Sequence, residues 1–429
     1  MLILKKGLVI DPSQGISEEF DLLIENGKIV ALDKNITVTP QMKVIDAAGK
    51  IVAPGFIDIH VHLREPGQEH KESILTGCKA AARGGFTSIA CMPNTNPVAD
   101  NEGVIELIIA RANRYNLVNV YPIASITKDQ EGKELTEFAI LKQCGAVAFS
   151  DDGKTLRNSA VMRRALDYAK MTDALIISHC EDEELAGTGV MHEGFFSTKL
   201  GLTGIPREAE EIIMDRDIRL AELTKSRIHI AHVSTKGGVE MIRRAKERGV
   251  QVTAEATPHH FSLTHEAVQG YNTNTKVNPP LRTQDDVEAL IKGLQDGTID
   301  CIATDHAPHA REEKEVEFEY APFGITGLET AVPVAWQNLY LGGHLSVPEL
   351  IKAFCTTPAK ILGIAGGTLQ VGRAADITLI DPELTQRVDE AEFYSLGKNT
   401  PFAGLELTGW PILTIKAGKI VMEMGEVYE

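Results

Sequence analysis

Phe56-Ile57-Asp58-Ile59-His60-Val61-His62 is the stretch on which the reading of this chain turns. Apolar residues lead into two histidines one residue apart, and Leu63-Arg64-Glu65-Pro66-Gly67 follows. Alternate side chains of a strand share a face, so the two imidazoles point the same way where a buried strand opens into a loop. Working outward, the pattern repeats. Further strand candidates are Phe86–Cys91, Val118–Ala124, Ala146–Ser150, Ala174–His179, Ile228–His232, Val250–Glu255 and Cys301–Thr304. Amphipathic stretches lie between them: Ser73–Ala82, Val104–Arg114, Ala160–Lys170, Glu208–Leu223, Val239–Arg248 and Asp285–Leu294. About eight alternations of strand and helix predict an α/β fold, a (β/α)8 TIM-like barrel over residues 51–365, with a doubly wound open sheet as the alternative.

The flanks follow another rule. Residues 1–50 and 366–429 are rich in short strands and glycine turns, and Leu23–Val30 echoes Thr414–Val421 around matched Gly-Lys-Ile-Val segments. Both read as hairpins. The expectation is one small β-sandwich-like domain assembled from both termini, with the barrel inserted between them.

A chain of 429 residues is long enough for such a core. Its net charge of −17 and lack of a basic stripe argue against nucleic acid as a partner. No apolar stretch approaches the ~20 residues that span a bilayer, and Met1–Lys6 lacks the layout of a signal peptide, so the expected location is cytoplasmic. The six cysteines form no Cys-x-x-Cys pair and read as small core residues in a reducing compartment.

In a barrel of this type chemistry collects where the strands end. Those ends carry His60 and His62, then Asn94, then Asp151-Asp152, then His179, His232 and Asp305. Imidazole and carboxylate without thiolate suit zinc, with manganese, cobalt or iron as substitutes. The donors exceed the needs of one open tetrahedral site, which favours two ions over one. His60, His62 and Asp305 would hold the first, and His179 and His232 the second. A bridging anion would come from the Asp151-Asp152 pair, whose side chains face opposite ways. Such a site activates water and polarises a carbonyl, the requirements of amide hydrolysis.

Gly55–Arg64, Met92-Pro93-Asn94-Thr95, Lys276-Val277-Asn278-Pro279-Pro280-Leu281-Arg282 and Asp305-His306-Ala307-Pro308-His309 together resemble the dihydroorotases, within the amidohydrolase superfamily. The motifs keep their order and the β-flanks agree, so the resemblance spans essentially the whole chain. Aspartate after strand four, where many relatives carry a carboxylated lysine, resembles the class I bacterial branch and counts against hydantoinases. The resemblance selects Asp152 as the bridge. It implies reversible closure of N-carbamoyl-L-aspartate to (S)-dihydroorotate with loss of water, a step of pyrimidine synthesis. Metal-activated hydroxide would be the nucleophile, and Asp305 the base and then the acid. His62, Arg64, Asn94 and His309 would surround the substrate, with Asn278 at the ring edge and the backbone of Phe323-Gly324 completing the pocket. It further implies a homodimer and leaves association with another pathway enzyme open. Another cyclic amidase, such as an allantoinase, is the nearest rival; a non-catalytic scaffold is disfavoured because every ligand position is filled. The charged run Arg311–Glu317 reads as a solvated loop, with lid behaviour of residues 311–322 as the alternative.

Overall fold

Short apolar runs that must bury both faces make parallel strands covered by helices. Eight of them form here: β1 (Phe56–Val61), β2 (Phe86–Cys91), β3 (Asn119–Ala124), β4 (Ala148–Phe149), β5 (Ile176–Ser178), β6 (Ile228–Ile230), β7 (Val252–Ala256) and β8 (Cys301–Ile302). In the computed structural model, which describes residues 1–428, they are hydrogen-bonded neighbours in sequence order. The ring closes just past β8, where Val61 bridges His306 in parallel and the His62 N–H donates to the His306 carbonyl at 2.8 Å. The expected barrel is present.

Helices occupy the intervals that the periodicity indicated, with ends set by caps. Ser73 lies outside the helix Ile74–Arg83 because its hydroxyl accepts from the Thr76 N–H. Asn101 and Thr235 cap Glu102–Tyr115 and Lys236–Glu247 in the same way. An apolar cluster fills the barrel interior, drawing Ile57, Ile59, Ala90, Ile123, Ala148 and Ile177 from five strands and Ile361 from the helix Thr356–Leu362. Pairing between β1 and β2 slips between Asp58 and Val61, a bulge that re-aims the strand at His60. Ile59 therefore joins the apolar interior while His60, the next residue, turns to the polar cluster above it.

Both termini build one mixed nine-stranded sheet. Its centre is Ile51–Pro54, parallel to Leu2–Asp11 on one side and antiparallel to Ile377–Arg387 on the other. The β-part thus takes in residues 51–54, which the boundary at residue 50 had assigned to the barrel; their ladder partners, not their apolar composition, decide the matter. Leu4, Leu22, Ile29, Val52, Ile377 and Ile415 pack into its own core. The two echoing segments are hairpins, turning at Asn26-Gly27 and Ala417-Gly418 with positive φ at all four residues. The turns abut: the Gly418 N–H donates to Ala375 and the Ala375 N–H to Gly27. Among the described residues no helix is long and apolar enough to cross a membrane.

Candidate metal centre and active site

Six donors converge at the C-terminal mouth of the barrel. His60 Nε2 lies 3.5 Å from both Asp152 Oδ1 and Asp305 Oδ1. His62 Nε2 is 3.0 Å from Asp305 Oδ1 and 3.4 Å from Asp152 Oδ2. His179 Nδ1 and His232 Nε2 are 2.8 Å apart, at 3.5 and 3.6 Å from Asp152 Oδ1. Asp152 thus belongs to two triads able to hold a divalent ion, one with His60 and His62 and one with His179 and His232. Asp305 completes a third with His60 and His232. His60 Nε2 and Asp152 Oδ1 are buried without a hydrogen-bond partner among the described residues, a costly state that a cation would relieve. Orphaned atoms and an N/O donor set together fit a divalent metal.

Asp151 does not compete for the bridging place. Its carboxylate accepts from the N–H groups of Ile126 and Thr127 and from the Thr127 hydroxyl, facing away from the cluster. Two ligands hold left-handed backbone, His232 at φ +31° and Asp305 at φ +48°, the kind of local strain that gathers at functional sites.

The carboxylates set the protonation pattern. Burial opposes charge on His60, but Asp152, Glu255 and Asp305 hold its pKa well above the usual imidazole value. Burial likewise opposes charge on Asp305, and His60 and His62 nonetheless keep it ionised well below the carboxylate range.

Sequence reasoning missed the groups that steady these ligands. Glu255, at the end of β7, spans His60 Nδ1 at 2.6 Å, His229 Nε2 at 3.1 Å and the His232 N–H at 3.1 Å. It fixes the His60 tautomer so that Nε2 faces the cluster. Asp58 accepts from the N–H groups of His60 and Thr304, bracing β1 against β8. The signal for both is a carboxylate inside a strand that is otherwise apolar.

A cavity of about 210 Å³ opens onto the cluster, lined by His62, Arg64, Asn94, Asn278, Phe323 and Gly324 among others. Arg64 is 8% exposed; its Nε donates to the Pro308 carbonyl at 3.2 Å and its Nη2 lies 3.4 Å from the His309 ring, neither group anionic. Asn94 Oδ1 accepts from His62 Nδ1 at 2.9 Å, so this residue also orients a ligand. Asn278 donates to Glu181 at 3.1 Å. His309 lies beside Arg64, and its Nε2 donates to the Phe323 carbonyl at 2.8 Å. Burial, then Arg64, Lys314 and Lys71, push its pKa down to about 3 and keep it neutral.

The L-hydantoinase (dihydropyrimidinase) of Arthrobacter aurescens has the same fold, with a TM-score of 0.90 at 28% identity over 100% of this chain and 97% of that one. Barrel, terminal sheet and donor cluster define a cyclic amide hydrolase. Sequence comparison narrows this further. The model of a family described as Dihydro-orotase-like matches residues 49–238. The dihydroorotase of Pelotomaculum thermopropionicum is 57% identical over 422 residues, covering 98% of each chain. That of Syntrophus aciditrophicus is 54% identical over 423 residues, covering 98% of this chain and 99% of the other. The chain belongs to the dihydroorotase family.

Proposed function

We propose that this chain catalyses the reversible interconversion of N-carbamoyl-L-aspartate and (S)-dihydroorotate in pyrimidine synthesis, as a class I bacterial-type, zinc-dependent enzyme of the cytoplasm. The observation that carries the reading is Arg64, a buried guanidinium with no anionic hydrogen-bond partner among the described residues, in the same cavity as five metal-capable donors, His62, Asp152, His179, His232 and Asp305. A neutral cyclic amide offers it nothing; dihydroorotate brings a carboxylate outside the scissile bond. An aspartate at position 152 in place of a lysine supports the class I assignment.

His60, His62 and Asp305 would hold one zinc ion and His179 and His232 a second, with Asp152 shared between them. Bound there, the metal lowers the pKa of water and polarises a carbonyl. Arg64 pairs with the substrate carboxylate, and Asn278 and the Phe323 N–H position the ring. In the hydrolytic direction Asp305 takes a proton from the attacking water and delivers it to the departing ring nitrogen; ring closure runs these transfers backwards.

The test is turnover of dihydroorotate, allantoin and hydantoin by one sample whose metal content is measured. Dihydroorotate should be strongly preferred, exhaustive chelation should abolish turnover, and zinc should restore it. Preference for a neutral ring, or full activity in verified metal-free protein, would overturn the reading.

A further inference from the structure

The charged run after His309 is largely exposed, as its composition suggests, but it carries one buried lysine, Lys314, and a second, Lys276, is buried nearby. Lys276 and Lys314 are 2% and 5% exposed. Lys276 Nζ donates to the carbonyls of Phe318 at 2.8 Å and Glu319 at 3.0 Å, and lies over the Phe323 ring, 4.8 Å from its centre. Lys314 Nζ donates to the carbonyls of Pro322 at 2.8 Å and Gly324 at 3.0 Å. Among the described residues the ammonium groups meet carbonyls and, for Lys276, ring faces, and neither forms an ion pair with a carboxylate. Burial pushes their pKa values down, to about 8 for Lys276 and about 7 for Lys314, so placing two ammonium groups here is costly. Apolar side chains would fill the space at less cost, which suggests that the donors themselves are needed.

What they hold is the wall of the cavity. The Gly324 N–H donates to the Lys276 carbonyl at 2.9 Å, and Asn399 reaches the Gly324 carbonyl at 3.0 Å. Gly324 has φ +125°, and a Cβ there would sit 2.8 Å from the Ala307 carbonyl oxygen. Gly324 therefore has no N–H to offer a substrate. Phe323 lines the cavity, and its N–H makes no hydrogen bond among the described residues. Its placement depends on the carbonyls around it: Lys314 holds those on either side, of Pro322 and Gly324, and Lys276 holds those of Phe318 and Glu319 earlier in the segment.

We propose that Lys276 and Lys314 are positioning residues that clamp the carbonyls from Phe318 to Gly324 and so hold the Phe323 N–H against the substrate. The inference rests on the functional reading above, because the substrate is what the N–H would meet.

The test compares Lys276→Met, Lys314→Met and the milder Lys314→Gln, which keeps a donor, in metal-loaded protein. We expect KM for dihydroorotate to rise ~10-fold or more in the Met variants with kcat within ~3-fold, and an intermediate rise for Gln. Amide exchange in residues 318–324 should accelerate at least ~10-fold while metal content stays at the wild-type level. The exchange readout needs no substrate, so a wild type inactive on dihydroorotate would refute the function and leave the clamp to be judged by exchange. Unchanged KM and exchange would overturn the proposal, as would loss of kcat and metal together without a change in KM.

Discussion

Replacing Arg64 with Met tests the step from a metal-dependent amidase to one that selects an anionic ring. The guanidinium is buried, and its pKa, pushed down to about 10 by burial against the pull of Asp305 and other acids, leaves it charged at neutral pH. Met preserves most of the stem and removes the charge. One hydrogen bond to a charged group contributes about 1.5–3 kcal/mol, and a bidentate pair adds to that. The expected loss is therefore ~2–4 kcal/mol in transition-state binding, or ~30- to 1,000-fold in kcat/KM. A separate and smaller effect falls on stability, because the Nε–H bond to the Pro308 carbonyl is lost, at about 0.5–1.5 kcal/mol. Removing a buried charge that forms no ion pair among the described residues offsets part of that. The assay is steady-state turnover of dihydroorotate and carbamoyl aspartate beside a neutral cyclic amide that the wild type hydrolyses slowly, with metal content and melting temperature recorded. A penalty confined to the anionic substrates supports the pairing. Equal losses on charged and neutral rings, with metal retained, would refute it.

Three further outcomes are expected. Asp305→Asn, nearly isosteric, should lower kcat by at least ~10²-fold, and near-normal turnover in the metallated variant would remove Asp305 from proton transfer. Asp152→Asn should lose bound metal as read by elemental analysis, whereas Asp151→Asn should keep it and show only a reduced melting temperature; the reverse would put the bridge on the wrong aspartate. Burial raises Glu329 to about 7 despite the N–H groups of Tyr394 and Ser395. Between its unfolded value near 4.5 and that raised value the folded protein binds the extra proton, so this group's contribution to stability falls as pH rises. Glu329→Gln should therefore gain up to ~2–3 kcal/mol relative to wild type between pH 5 and 8, and a pH-independent difference in denaturant midpoints would refute this.

Much of this was legible in the sequence because parallel strands buried on both faces leave continuous apolar runs, and because a strand that ends in a ligand breaks that run visibly. His60, His62, His179 and His232 announce themselves in this way. Lengths were less legible: β4 pairs over two residues, Ala148–Phe149, where five were expected, since apolar composition marks burial and not ladder extent. Glu255 was in view at the end of β7 and unused, because a carboxylate that serves a ligand looks in sequence like one that caps a helix. Lys314 was misread with the charged run around it for a related reason: charge suggests solvent, and only the surrounding carbonyls explain a buried ammonium group. The hydrogen bond from His309 to the Phe323 carbonyl joins residues 14 apart in the chain, and no local pattern encodes it.

The strand Ile51–Pro54 also dictates an order of events during synthesis. It leaves the ribosome early, beside Leu2–Asp11, while its other neighbour, Ile377–Arg387, emerges only after every barrel strand has been made. For that interval the nascent chain carries an open sheet edge, and such edges recruit other chains. A ribosome-bound intermediate halted before residue 377 should therefore be the aggregation-prone species of this protein, and supplying residues 366–429 in trans should protect it. Persistent solubility of that halted chain would show that the edge is covered in some other way.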